Sequence, residues 1–498
     1  MSSETAVATR VAPALGERGA TVARNAFHLV LGQVATTVLA ILMSAALGRS
    51  LGASDFGLYF LVVSMAAFAA VLLEWGQLLF VVREVAREPG RARSLLGTAL
   101  VLRIAGATVV SGPTWLAAHA LGYDGKTCAY AVAFIWSSLP FSLSQACGMI
   151  FRAHDRMGLD ATVSVLNKVV IVTLTVLALQ LRTGIPGVMV AQAIAGFVAF
   201  AVAVRLYRGL RAGRLSASWK TARAMLAGGA PIVAMTAVVA IQPYLDAIVL
   251  SKLVPAAPVG WYGAARNIMG TLIAPSMILA SAFYPRLSRA AQEPGALRDE
   301  LRAALRPMLW LGALGGIGTF LFADVAIGLV YGARGFAPAG AILRIFGFGL
   351  FALFVDVLLG HALTAVGRTT GFAVTKAVSV VVSTGLDIVL IPHFQRHGGN
   401  GGIGVIVAFI TSEVVVLAGS IYLLPRGSIG RSIAADVVRA LATGLATGAL
   451  ILLLPPLSPL LAIPLCVIAF TAVSLGLGLA KREDLELLRG VLVRARSR

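Results

Sequence analysis

The stretch from residue 24 to residue 68 constrains the fold of this chain more than any other. It holds two apolar runs, the first of which extends from Phe27 to Gly48. Each run is long enough to cross about 30 Å of hydrocarbon as a helix, which takes roughly 20 residues. The short link between the runs contains the helix-ending residues Gly52, Ser54 and Asp55. The stretch therefore predicts a hairpin of two transmembrane helices.

A weaker copy of this hairpin returns later in the chain. Ala53 matches Ala256, and the triplet Gly57-Leu58-Tyr59 matches Gly260-Trp261-Tyr262, both at a shift of 203 residues. Further matches follow in the same order at shifts of 213 and 217, as expected when loops lengthen. Two homologous membrane halves are typical of a secondary transporter whose substrate site lies between them.

Composition supports a polytopic membrane protein, because 58% of the 498 residues are hydrophobic and only 12% are charged. Backbone inside lipid must satisfy its own hydrogen bonds, and apolar runs without period-two alternation leave helices as the solution. The polar N-terminus leads straight into a long span without a cleavage motif, so we expect an uncleaved anchor and no signal peptide.

The predicted fold is an all-α bundle in which two parallel six-helix repeats form a V and two further helices follow. The fourteen predicted helices are about 26–48, 56–82, 96–121, 127–151, 161–182, 185–207, 225–251, 258–284, 305–331, 338–366, 371–395, 403–424, 436–454 and 457–480. The predicted parts are a cytoplasmic N-terminal segment (1–25), an N-lobe (26–207), a cytoplasmic linker (208–224), a C-lobe (225–424), helices 13–14 (425–480) and a cytoplasmic tail (481–498).

The net charge of +20 is explained by topology rather than by nucleic acid. When residues within two positions of a predicted helix end are counted with the adjoining loop, 29 of the 41 Lys and Arg residues fall in the termini and loops of one side, 6 in those of the other and 6 inside spans. The positive-inside rule then places both termini in the cytoplasm. The Arg-rich loops 208–224 and 285–304 suit the anionic lipids of the inner leaflet.

Ionisable residues at membrane depth need a partner, water or a function. Glu74 and Arg103 lie equally far from the loop that joins their helices, and so do Asp324 and Arg344. Equal depth on adjacent helices favours structural ion pairs. Asp246 and Arg266 have the same spacing within the repeated hairpin, where either an ion pair or a substrate role is open.

Two lysines in corresponding helices of the halves are less obviously neutralised. Lys168 stands alone, while Lys376 shares its region with Asp356 and His361. Together they could line a cationic cavity for an anionic headgroup such as a sugar pyrophosphate, although each lysine could instead snorkel to the interface. Asp387 and Glu413 receive no role from the sequence.

Enzyme, cofactor and metal motifs are missing where they would be needed. Gly125-Lys126-Thr127 resembles a phosphate loop, but the upstream glycine position holds Ala120 and no strand precedes it. The six histidines and the cysteines Cys128, Cys147 and Cys466 lack metal-ligand spacing. We expect no enzymatic activity, no cofactor, no metal and a packing role for the cysteines.

Several motifs resemble one known group. Gly48-Arg49-Ser50-Leu51-Gly52 followed by Phe56-Gly57-Leu58-Tyr59 is similar to the first hairpin of the oligosaccharide flippases, the O-antigen exporter-like branch of the multidrug/oligosaccharidyl-lipid/polysaccharide superfamily. The segments 260–266, 283–288 and 365–368 resemble the family's eighth helix, its end, and the turn between helices ten and eleven. The similarity covers residues 24–425.

The resemblance implies a flippase of the bacterial cytoplasmic membrane that moves an undecaprenyl-pyrophosphate-linked oligosaccharide by alternating access. It also implies that Arg49 and Arg266 line the cavity, as matching arginines do in related lipid II flippases. A polysaccharide polymerase or chain-length machinery is a further partner that this function suggests. The alternatives are a multidrug or small-metabolite exporter on the same fold and a non-transporting subunit of a polysaccharide assembly complex. The first helix has no acidic residue, unlike many proton-coupled drug exporters, which argues against drug export.

Overall fold

The computed structural model describes residues 4–209, 215–293, 295–332, 335–455 and 457–480; the predicted tail (481–498) lies outside this range. The described residues form helices and turns without a strand. The helices are α1 (Glu4–Glu74), α2 (Gln77–Arg87), α3 (Ala92–Ala120), α4 (Gly125–Ala153), α5 (Met157–Gln180), α6 (Gly184–Gly209), α7 (Trp219–Leu253), α8 (Ala256–Ala290), α9 (Ala296–Tyr331), α10 (Ala337–Ala365), α11 (Thr369–Gly398), α12 (Gly402–Leu423), α13 (Arg431–Leu453) and α14 (Pro459–Gly476). Within the described residues, twelve segments are long and apolar enough to cross a membrane. The chain is therefore an all-α, multi-pass membrane protein, as predicted.

The first two predicted spans are divided differently from the prediction. α1 runs through the predicted link and bends at Gly52, whose φ of 74° and ψ of 172° are open essentially to glycine alone. The second predicted span is then interrupted after Glu74, because Trp75 and Gly76 both have positive φ. α2 begins after this break. The described residues thus contain fourteen α-helices, the predicted number, but α1 combines the first predicted span with most of the second, and the 11-residue α2 holds the rest.

α9 begins at Ala296, nine residues before the predicted start at 305. The added turns are amphipathic, since Leu297, Leu301 and Ala304 are buried while the segment also carries charged residues. Because the segment carries charged residues, mean hydropathy places it outside the predicted span. The helical spacing of its apolar residues nevertheless allows α9 to begin there.

Packing divides the described residues into two compact units. The first contains residues up to Leu51 and Leu61–Ala240, and the second contains Gly52–Phe60 and residues from Ile241 onward. The change of unit falls inside α7 rather than in the predicted linker. Two contacts within the first unit hold the start of α7 there: the Trp75 indole N–H donates to the Leu226 carbonyl at 2.9 Å, and the Ser218 N–H donates to the Thr98 hydroxyl at 3.3 Å.

The core of the first unit joins α2, α3, α4, α6 and the start of α7 in one buried cluster. On α6, Ala195, Ala199 and Ala203 are completely buried at helical spacing. Small side chains let the backbones of neighbouring helices approach closely. In a membrane this close packing drives helix association, because lipid tails are as apolar as the helix surfaces and apolar burial alone gives little gain. Cys147 lies in this cluster, in agreement with the expected packing role.

Within the second unit, the two residues that the repeat aligns lie against each other. A Cβ on Gly57 would collide with the Ala256 carbonyl and lie 2.8 Å from the Gly260 nitrogen. A Cβ on Gly260 would collide with the Ala53 carbonyl and lie 3.2 Å from the Gly57 nitrogen. Equivalent positions of the two repeats therefore form one reciprocal crossing between α1 and α8.

The two additional helices pack on α9 through polar contacts. The Arg302 guanidinium donates to the Asp436 carboxylate of α13 at 2.8 Å, and Asp436 is almost completely buried. The Trp310 indole donates to the Ser474 hydroxyl of α14 at 3.2 Å. The early start of α9 thus supplies the residue that anchors α13.

Replacing Gly260 with alanine should destabilise the protein, because the added methyl group meets the α1 backbone rather than a flexible side chain. Overpacking of this kind costs about 1–3 kcal/mol. Thermal unfolding of the detergent-solubilised protein measures the effect. Gly270→Ala is the matched control, since its Cβ on the same helix would meet nothing within 4 Å. Equal unfolding temperatures for the two variants would contradict the close crossing.

Candidate functional site

The buried face of α11 is polar over most of its length. Its buried residues are Lys376, Ser379, Ser383, Asp387 and Ile391, which recur every three or four positions. Apolar side chains occupy exposed positions of the same helix, namely Val374, Val378, Val381 and Ile388. This arrangement is the reverse of a water-soluble helix and places ionisable groups in the bundle interior, where they mark functional sites in membrane proteins.

Lys376 lies at one end of this polar face in a cluster with two carboxylates. Its ammonium donates to Asp356 Oδ2 of α10 at 2.6 Å and lies 3.5 Å from Glu413 Oε1 of α12. The side chains of Lys376, Asp356 and Glu413 are only 11%, 5% and 2% exposed. The ammonium also lies over the Phe372 ring, 5.8 Å from its centroid.

This geometry gives Lys376 two partners, Asp356, which the sequence analysis places in the same region, and Glu413, to which it assigns no role. The lysine has two carboxylate neighbours, so the Lys376 cluster (Lys376, Asp356 and Glu413) does not carry the excess positive charge that a cationic cavity needs. Three helices bring these groups together because α12 packs against both α10 and α11. His361 is not part of the cluster, since its ring packs on Tyr284 and its Nδ1 bonds to the Val357 carbonyl.

A second group of charges surrounds Asp246 of α7. The Tyr262 hydroxyl of α8 donates to Asp246 Oδ2 at 3.4 Å, while Asp246 Oδ1 has no hydrogen-bond partner among the described residues. Asp387 of α11 is fully buried, interacts electrostatically with Asp246 and leaves both its oxygens without a described partner. Arg266 is half-buried and attracts Asp246 electrostatically, although no direct ion pair between them occurs in this part of the chain.

Both groups contain more carboxylates than nearby cations. Burying an unpaired carboxylate is expensive, so such sites hold protons or cations, or take up a counter-charge. Across the described ranges, no three His, Cys, Asp or Glu side chains come together in a manner that would hold a metal ion. The arrangement is suited to binding a proton or another counter-charge inside the bundle.

In the first unit, Arg103 forms hydrogen bonds with residues other than the predicted Glu74, which interacts with it electrostatically. Its guanidinium donates to Gln77 Oε1 at 3.1 Å and to the hydroxyl and carbonyl oxygens of Ser142. Glu74 is exposed, because the break at Trp75 and Gly76 turns the chain so that Gln77 faces Arg103. The equal spacing of Glu74 and Arg103 from the loop predicted that Arg103 has a polar partner at this depth. It could not reveal the break in the helix at Trp75 and Gly76, which decides that the partner is Gln77.

The remaining predicted residues lie as follows. Arg344 and Asp324 form an ion pair between α10 and α9, the arrangement that the sequence predicts. Lys168 is half-buried on α5, beside the buried Asn167. Arg49 is exposed and lies three residues before the bend at Gly52.

Sequence reasoning missed the roles of Asp387 and Glu413. A signal existed for Asp387, since Lys376, Ser379, Ser383 and Asp387 recur at helical spacing and define one polar stripe. Glu413 follows Ser412, and both are buried on α12. Its pairing with Lys376 requires the register between α11 and α12, which no periodicity in a single helix shows.

Comparison with known proteins extends this description. Residues 22–291 match the profile of the family described as polysaccharide biosynthesis protein. A relative from Haloferax volcanii, the probable low-salt glycan biosynthesis flippase Agl15, is 22% identical over 385 residues, which are 76% of this chain and 79% of that protein.

Solved structures share the fold at low sequence identity. The lipid II flippase MurJ in an inward closed conformation superimposes with a TM-score of 0.73 at 14% identity, covering 89% of this chain and 98% of that one. An inward-facing multidrug resistance MATE family transporter of the MOP superfamily gives a TM-score of 0.64 at 16% identity, covering 78% and 94%. The chain thus has the same fold as these two transporters. With more than half of its length matching the family profile, the chain belongs to the polysaccharide biosynthesis protein family.

Proposed function

We propose that this protein is a flippase that moves a polyprenyl-pyrophosphate-linked oligosaccharide across the bacterial cytoplasmic membrane for cell-surface polysaccharide synthesis. The observation that carries the proposal is the family match over residues 22–291, which contain Arg49, Lys168, Asp246 and Arg266. The likeness to a glycan biosynthesis flippase and to the fold of a lipid II flippase supports it.

The physical task of such a flippase is to lower the cost of moving a charged, hydrated headgroup through hydrocarbon. In the proposed cycle the predicted N-lobe (26–207) and C-lobe (225–424) rock about the headgroup, with 208–224 as their linker. The headgroup crosses in a polar environment while the polyprenyl tail stays among the lipids. Polar groups of the protein replace part of the lost hydration.

Within this proposal, the cations that interact with the pyrophosphate during its passage are Arg49 and Lys168 of the first unit and Arg266 of the second. Arg266 and Lys168 are half-buried, and no ion pair neutralises either of them in the described ranges. Lys376 is not assigned to this task, because two carboxylates surround it. Charge-assisted contacts to phosphate oxygens are stronger than neutral hydrogen bonds, which makes the arginines and the lysine suitable ligands.

Drug export on the same fold is the competing function, since the MATE transporters have the same architecture. A strain lacking the protein distinguishes the two. Loss of surface polysaccharide with unchanged drug susceptibility supports the flippase, and increased susceptibility to cationic drugs with normal polysaccharide supports the exporter. A non-transporting subunit would instead show no translocation in purified form.

Arg266→Ala and Lys168→Ala should each slow translocation of a labelled lipid-linked oligosaccharide in proteoliposomes. We expect a fall of about tenfold, equivalent to about 1.4 kcal/mol of lost stabilisation. A larger fall is expected for the double variant. The assay follows transfer of the label between leaflets with purified, monodisperse protein.

Arg396→Ala is the control for this experiment, because Arg396 is exposed at the end of α11. It removes the same charge without touching the proposed ligands. Unchanged rates in both test variants would exclude a role for these cations in headgroup binding.

The proposed orientation can be tested by cysteine labelling, since Cys128, Cys147 and Cys466 are all buried. A thiol reagent that cannot cross membranes should label Arg396→Cys in intact cells, because Arg396 follows predicted helix eleven (371–395), whose end is predicted to face outward. Arg426→Cys, in an exposed loop after α12, should react only after permeabilisation. The opposite pattern would invert the proposed topology.

A further inference from the structure

The Lys376 cluster contains two carboxylates and one ammonium, all buried within the second unit. We propose that this cluster is a binding site for one proton, which the carboxyl groups of Asp356 and Glu413 share. The inference concerns the cluster itself and does not depend on what the protein transports.

The contacts show that one ammonium does not satisfy both acids. Lys376 bonds Asp356 Oδ2 at 2.6 Å, whereas Glu413 Oε1 is further away at 3.5 Å. The second oxygen of each acid, Asp356 Oδ1 and Glu413 Oε2, is buried without a hydrogen-bond partner among the described residues. A carboxylate can only accept hydrogen bonds, while a carboxylic acid can also donate one.

Charge balance favours the protonated form. With both acids ionised the cluster has a net charge of −1 in a site from which water is largely excluded. An uncompensated charge in such surroundings is costly, and ionisable groups there bind a proton instead. One proton makes the Lys376 cluster neutral and leaves a single ion pair.

A proton fits this site better than a metal ion does. A metal cation would have to lie beside the Lys376 ammonium, which repels it, whereas a proton forms part of a neutral carboxyl group. The described residues also provide no third acidic, His or Cys ligand at the cluster.

Other titratable groups on the packed helices are engaged elsewhere. His361 of α10 contacts Tyr284 of α8, and Arg344 of α10 pairs with Asp324 of α9. Asp387 of α11 lies three turns from Lys376 and interacts with Asp246, which also attracts Arg266 of α8. The proton is therefore assigned to Asp356 and Glu413.

Infrared difference spectroscopy of the purified protein tests the proposal through the carbonyl stretch of protonated carboxylic acids. Glu413→Gln and Asp356→Asn should each have one carboxylic acid fewer than the parent, because a single remaining carboxylate balances Lys376. Lys376→Met should have one more, since no ammonium then balances either acid. Using two different acid variants keeps the test decisive if one of them does not fold.

Thermal unfolding against pH gives an independent readout. The folded parent holds a proton that an unfolded carboxyl group releases, so its stability should fall as the pH rises above about 4, where a free carboxyl group titrates. Glu413→Gln should weaken this dependence, and Glu293→Gln, in an exposed loop, should leave it unchanged.

Acid-variant spectra identical to the parent spectrum would overturn the proposal. Stabilisation of the parent, but not of Glu413→Gln, by sodium relative to choline chloride would assign the site to a metal ion instead. Either result would leave the proposed flippase function unaffected, because neither experiment involves translocation.

Discussion

Direct contact between helix backbones is the interaction on which this structure depends. Lipid tails are as apolar as Leu and Val, so burying apolar side chains gives helices little reason to associate inside a membrane. Close packing supplies that reason, and it needs residues without bulk. Gly57 and Gly260 meet this need at a single crossing, where each approaches the backbone of the other helix. The sequence repeat and the reciprocal contact are two expressions of the same duplicated hairpin.

The same environment reverses the usual relation between burial and polarity. On α11 the exposed positions are apolar, and the buried face carries a lysine, two serines and an aspartate. Water is not available to solvate these groups, so each must find a partner on a neighbouring helix or bind a small ion. Polar side chains in the interior thus fix which helices lie next to one another, as the Lys376 cluster does for α10, α11 and α12.

The number of helices and the all-α fold class can be predicted from the sequence, because the thickness of the membrane sets the length of a spanning helix. The contacts between individual side chains are predicted less well. Equal depth predicted Asp324 beside Arg344 correctly, since the turn between α9 and α10 is short. The hydrogen-bond partners of Arg103 are Gln77 and Ser142, because two residues with positive φ redirect the chain before Gln77. Glu74 acts on the Arg103 guanidinium electrostatically, without a hydrogen bond. The partners of Lys376 depended on helix register, which hydropathy does not encode.

The pairing of Lys376 changes which charges can serve an anionic headgroup. The positive charge of Lys376 is largely cancelled by the two neighbouring carboxylates. Lys376 therefore attracts a pyrophosphate less strongly than an unpaired lysine at the same depth would. Arg266 differs, because it acts on Asp246 at a distance and keeps its donors free of any direct ion pair within the described residues. A guanidinium also binds phosphate in a bidentate manner that an ammonium cannot reproduce. The two buried groups of the second unit thus differ in their contacts. The Lys376 cluster neutralises its ammonium through direct contact with carboxylates, whereas the Arg266 guanidinium makes no direct ion pair within the described residues and keeps its N–H donors available for a ligand.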